Sequence, residues 1–114
     1  MADDASSTWL PLCDASDVEP EVPLRVEREG LPVLAVFRLE DGSLHVTDDT
    51  CTHGQASLSD GFVLGDEIEC PWHAGKFCIR DGRATGLPAV EPIRVYPLQV
   101  IDGRVCIAAP APTG

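Results

Sequence analysis

Four side chains in this sequence could bind a soft metal ion together. Cys51-Thr-His53-Gly-Gln-Ala forms one stretch and Cys70-Pro-Trp-His73-Ala-Gly75-Lys-Phe77 another, a pattern of C-x-H, sixteen residues, then C-x-x-H. Thiolate and imidazole are ligands that suit iron and zinc. Such a set serves two chemistries. Zinc would take all four in a tetrahedron. A two-iron, two-sulfide cluster would take both thiolates on one iron and both imidazoles on the other. Zinc modules usually pair cysteines as CxxC, which this chain lacks. The gaps between successive cysteines, 38, 19, 8 and 28 residues, give no support to a four-cysteine plant-type cluster.

Ligands one or two residues apart converge only on a loop or tight turn, so the rest of the chain must hold two loops together. Gly54, Gly75 and Pro71 supply backbone freedom and constraint within them. Around them the chain reads as short strands. Glu29-Gly30, Asp41-Gly42, Asp81-Gly82 and Asp102-Gly103 are tight-turn pairs, in which Gly accepts a positive φ. Between them lie β-rich runs at 24–28, 32–39, 44–47, 77–79, 95–101 and 104–107. In the third run Leu44 and Val46 face the core and His45 faces out. Ten prolines and ten glycines interrupt any helical pattern. The stretches 48–61 and 71–75 resist the strand reading, and they carry the four ligands. Many short antiparallel strands suggest an all-β sandwich or small barrel. With 114 residues the chain is one domain, 1–114, and 108–114 reads as a loose tail.

Nineteen acids against eight bases give a net charge of -11. This argues against nucleic acid and anionic membranes as main partners and favours a basic protein surface. Residues 3–21 carry six acids and no base, the strongest bias in the chain. The start has no basic segment followed by an apolar one, and no run spans a bilayer, so the expected location is the cytoplasm. Five cysteines could not all pair within one chain.

The residues Cys51-Thr52-His53-Gly54 and Cys70-Pro71-Trp72-His73, with Gly75-Lys76-Phe77 and Tyr96-Pro97-Leu98, resemble the Rieske-type ferredoxins of bacterial aromatic-ring-hydroxylating oxygenase systems. The resemblance covers about 9–107. It implies a Rieske-type antiparallel β-sandwich with a small two-loop cluster-binding subdomain at about 47–80. It implies one [2Fe–2S] cluster per chain, held by Cys51, His53, Cys70 and His73. It also implies an electron carrier between an NAD(P)H-dependent flavoprotein reductase and a terminal oxygenase, docking transiently near His53 and His73. Gly86-Leu-Pro88-Ala resembles the family's proline loop, which covers the cluster from a third side.

Respiratory relatives carry an extra cysteine in each loop, joined as a disulfide, and a serine and a tyrosine that donate hydrogen bonds to sulfur. Here Gln55 and Trp72 bring no cysteine, Gly75 stands where the serine would be, and Phe77 where the tyrosine would be. Without those donors the reduced, more negative cluster is less stabilised. The expected potential is about -150 mV, the low end of the Rieske range. It should fall with pH once the ligand histidines of the oxidised state deprotonate.

Cys13, Cys78 and Cys106 lie on or beside strands and read as buried thiols. His45 reads as an exposed strand residue. It is the only histidine besides the two in the motifs, so the chain cannot build a two-His-one-carboxylate iron site. No nucleophile elbow or phosphate loop occurs, and the chain reads as an electron-transfer component rather than an enzyme. The rival readings are a permanent Rieske subunit of a larger oxidoreductase, including the nitrite reductase small-subunit type, and a structural zinc module.

Overall fold

The computed structural model describes residues 9–50, 56–71, 75–87 and 91–108. It is all-β. Eleven strands run in chain order: β1 Trp9–Asp14, β2 Leu24–Val26, β3 Leu34–Arg38, β4 Leu44–Asp48, β5 Phe62–Leu64, β6 Glu67–Glu69, β7 Lys76–Cys78, β8 Ala84–Gly86, β9 Val95–Tyr96, β10 Leu98–Ile101 and β11 Arg104–Ala108. They form three antiparallel sheets, ordered β1-β11-β10, β2-β3-β4-β9 and β5-β6-β7-β8. Two single 3-10 turns, Ala15–Asp17 and Leu58–Asp60, are the only helical pieces among the described residues.

The turn residues behave as their chemistry requires. Asp102 and Gly103, at φ 54° and 80°, close the two-residue hairpin between β10 and β11. At Gly82 the requirement is also steric. A Cβ there would stand 2.2 Å from the Ile93 carbonyl oxygen. This close approach lets the Ile93 N–H donate to the Gly82 carbonyl at 2.9 Å, which anchors the chain on its way back to β9.

The run 95–101 is not one strand. β9 pairs with β4 and β10 pairs with β11, and Pro97 between them lacks the N–H a continuous ladder needs. The proline is where the chain leaves one sheet for another. Strands β5, β6 and β8 carry no strong sequence signal. Each has only three residues, and β5 and β6 are joined by the two-residue turn Gly65-Asp66. Ala108, read as the first residue of the tail, pairs with Trp9 as the last of β11.

Two apolar clusters fill the molecule. One gathers Leu12, Val18, Leu34, Val36, Val46, Tyr96, Val105 and Ile107 between the first two sheets. The other gathers Ala35, Phe37, Ala56, Leu58, Ile68, Cys70, Phe77 and Ile79 against the third. Strand β3 belongs to both. Its residues alternate between the two clusters, and the four from Leu34 to Phe37 are each 1% exposed or less. A strand buried on both faces reads as a continuous apolar run, which Leu34-Ala-Val-Phe37 is.

Candidate metal centre

The second loop is framed by β6 and β7. Cys70 follows β6 directly, and its N–H donates to the Gly75 carbonyl at 2.7 Å. That bond ties together the two ends of the second loop. Cys70 is 1% exposed and in no disulfide. Beneath it, Phe77 is fully buried and offers no hydrogen-bonding group.

The first loop leaves the end of β4 and returns into the 3-10 turn Leu58–Asp60. Thr50 and Ser57 form an isolated antiparallel bridge across its mouth. Just outside that bridge, the Leu58 N–H donates to the Asp49 carbonyl at 2.6 Å and the Ser59 N–H to Asp49 Oδ1 at 2.8 Å. Ala56 and Leu58 are buried in the same cluster as Cys70, Ile68 and Phe77. The bases of the two loops therefore share one apolar core.

Of the four expected ligands, Cys70 is among the described residues, whereas Cys51, His53 and His73 lie outside them. Gln55, Trp72, Pro88 and Ala89 lie outside them too. Among the described residues no group of three or more His, Cys, Asp or Glu side chains could hold a metal ion. The donor set still fits a mixed-ligand iron–sulfur cluster. One of its thiols is buried, unpaired and placed directly after β6, and two cysteines with two histidines match the two irons.

Other polar residues tie the loop bases to the frame. The Tyr96 hydroxyl donates to Asp48 Oδ1, joining β9 to the last residue of β4, three residues before Cys51. Burial, reinforced by this bond to the carboxylate, pushes the tyrosine up to about 12. Arg80 bridges Asp41 at 2.8 Å and Asp66 at 3.0 Å, linking the β3–β4 turn to the β5–β6 turn. Hydrogen bonds from Ser43, then from Arg80, hold the Asp41 carboxyl well below the usual carboxylate range. Neither Asp49 nor these pairs stood out in the sequence, because each depends on partners at least ten residues away.

His45 is half-buried rather than exposed, with its ring nitrogen 2.9 Å from Ser43 Oγ. Burial first, and the Arg80 charge second, lower its pKa and favour the neutral imidazole. Cys78 and Cys106 are buried and Cys13 is half-buried, as small hydrophobes.

The sequence pattern of the Rieske [2Fe-2S] domain matches residues 8–97. The chain belongs to the Rieske [2Fe-2S] domain family. The cofactor of this Rieske domain is accordingly a Rieske-type [2Fe–2S] cluster, and the zinc reading falls. The domain is 45% identical over 100 residues to ferredoxin CarAc of Metapseudomonas resinovorans, covering 88% of this chain and 92% of that one. It superposes on the Sphingomonas yanoikuyae B1 ferredoxin with a TM-score of 0.87 at 44% identity, covering 90% of this chain and 99% of that one. It superposes on a chain from the complex of reduced oxygenase and oxidized ferredoxin in carbazole 1,9a-dioxygenase with a TM-score of 0.83 at 42% identity, covering 94% and 98%. Among the described residues no helix is long and apolar enough to cross a membrane.

Proposed function

We propose that this Rieske domain is the ferredoxin of an aromatic-ring dioxygenase system, taking single electrons from an NAD(P)H-dependent flavoprotein reductase and delivering them to a terminal oxygenase. The observation that carries the reading is the near end-to-end match with ferredoxins, one of them solved with the oxygenase of carbazole 1,9a-dioxygenase. Identity of 42% to 45% to ferredoxins, against 28% to a nitrite reductase small subunit from Mycobacterium tuberculosis, favours a shuttle carrier over a permanent subunit of a larger oxidoreductase.

Cys51 and Cys70 would hold one iron and His53 and His73 the other, on loops raised from one domain whose cluster-binding part spans about 47–80. The cluster, when bound, stores and releases one electron. The chain's own contribution is to bind it, shield it with Phe77 and Cys70's apolar surroundings, and present the histidine side to partners. It carries no catalytic site of its own and works in the cytoplasm. With 19 acids against 8 bases, its surface suits partners with basic contact regions.

The test is a three-component reconstitution. The purified protein should be reddish-brown, give a rhombic EPR signal on reduction, and be needed for NAD(P)H-driven turnover by an aromatic-ring oxygenase. Transfer should slow as ionic strength rises, since exposed charges are screened over about 10 Å at 0.1 M salt. Loss of colour in His53→Ala and Cys70→Ser variants supports the ligand set. A colourless protein, or turnover independent of it, refutes the reading.

A further inference from the structure

Asp49 is only 1% exposed, yet it forms no ion pair among the described residues. Buried carboxylates are rare without a partner, because removing one from water is costly. Its partner here is a backbone amide, the Ser59 N–H at 2.8 Å, ten residues along the chain. The main chain of Asp49 is committed too. Its N–H donates to the Val33 carbonyl at 2.9 Å, and its own carbonyl accepts the Leu58 N–H at 2.6 Å. One residue thus grips the frame on one side and the returning arm of the first loop on the other.

A second feature explains why that grip is needed. The turn Leu58–Asp60 starts after Ser57, a residue type that commonly caps a helical start with its own hydroxyl. Ser57 makes no such bond, and its hydroxyl instead accepts from Arg25 Nη1 at 3.1 Å. The free amide of Ser59 is capped from the opposite arm by Asp49. Leu58, between them, is fully buried in the core that also holds Cys70.

We infer that Asp49 is the positioning residue of the first cluster loop, its carboxylate capping the 58–60 turn so that Thr50 and Ser57, which flank the segment carrying Cys51 and His53, are held at a fixed separation. This rests on the proposed ligation by Cys51 and His53. Outer contacts that orient ligands are commonly worth about 10- to 100-fold in metal retention.

The experiment uses the holoprotein and reads two quantities, the EPR line shape of the reduced cluster and the rate of cluster loss to a chelator. Asp49→Ala should shift or broaden the EPR signal and speed cluster loss by at least about tenfold. Asp49→Asn keeps an oxygen that accepts the Ser59 N–H, and should retain the wild-type line shape and a lifetime within a few-fold. If the alanine variant does not fold, Asp49→Glu carries the same test, because it keeps the charge and displaces the acceptor by one methylene. Val36→Ala is the control. It weakens the other core and should lower melting temperature without altering the EPR signal. Wild-type line shape and lifetime in Asp49→Ala, or in Asp49→Glu in its place, would overturn the inference. So would an Asp49→Asn variant as impaired as Asp49→Ala. Cys51→Ala separates the two levels: a retained cluster there removes the ligand reading itself, whereas outright loss beside an unaffected Asp49→Ala removes only the positioning role.

Discussion

Tyr96 donates its hydroxyl hydrogen bond to Asp48, so the short strand β9 is fastened to the point where β4 gives way to the first cluster loop. The neutral phenol is the form this contact favours, and its pKa is raised from about 10 to about 12. A raised folded-state value means the contribution is complete below pH 10 and is lost as pH climbs through about 12. Tyr96→Phe should cost about 1 kcal/mol at pH 7, the net worth of one hydrogen bond. Denaturant melts from pH 8 to 12 should show the gap between the two proteins narrowing above pH 10. A gap constant over that range would contradict the assignment.

Gly82 should tolerate no side chain. Its φ of 81° and the 2.2 Å approach of the Ile93 oxygen both act against one, and the opposing atom is backbone. Gly82→Ala is expected to destabilise by about 2 kcal/mol or more, from left-handed strain plus displacement of the 91–93 segment. Urea titration reads this directly.

Glu21 runs the other way. It holds φ 67° in the turn closed by the Val22 N–H to the Glu19 carbonyl, after Pro20. Pro followed by a residue of positive φ is the arrangement of a type II turn, in which Gly is preferred. Glu21→Gly should relieve about 1 kcal/mol of strain and lose part of that to the entropy of glycine. A melting temperature equal to or slightly above wild type is expected, and a clear drop would be inconsistent with strain at this site.

The potential should sit near the bottom of the Rieske range, about -150 mV. Phe77 is fully buried among apolar neighbours and Gly75 has no side chain, so neither supplies a donor to a sulfur. Gly75→Ser should raise the midpoint if its hydroxyl reaches a cluster sulfur, because a donor favours the more negative reduced state. Protein-film voltammetry measures both. A wild-type midpoint above zero would remove the low-potential reading.

The chemistry was more legible than the architecture. Residue types and spacing single out Cys51, His53, Cys70 and His73 as candidate ligands, of which Cys70 is among the described residues, and Asp-Gly pairs located turns that the fold contains. Pro97 hid a change of sheet inside what reads as one β run, since a strand switch leaves no mark except the missing N–H. The three-residue strands β5, β6 and β8 are too short for alternation to register, and β6 reads Glu-Ile-Glu with one inward residue. Asp49 was invisible for another reason. Beside Asp48 it looks like solvated loop, and only the fold brings Ser59 to it.

Strand β3 has an inside on each face, and this links the fates of the two halves of the molecule. No plane of weakness separates the frame from the metal-bearing side, because any opening there must strip Leu34, Ala35, Val36 and Phe37 of one neighbour or the other. Iron loading is then a property the entire chain registers. A melting curve followed at Trp9, far along the chain from either loop and with Trp72 replaced by Phe so that Trp9 alone reports, becomes a gauge of whether the cluster is in place.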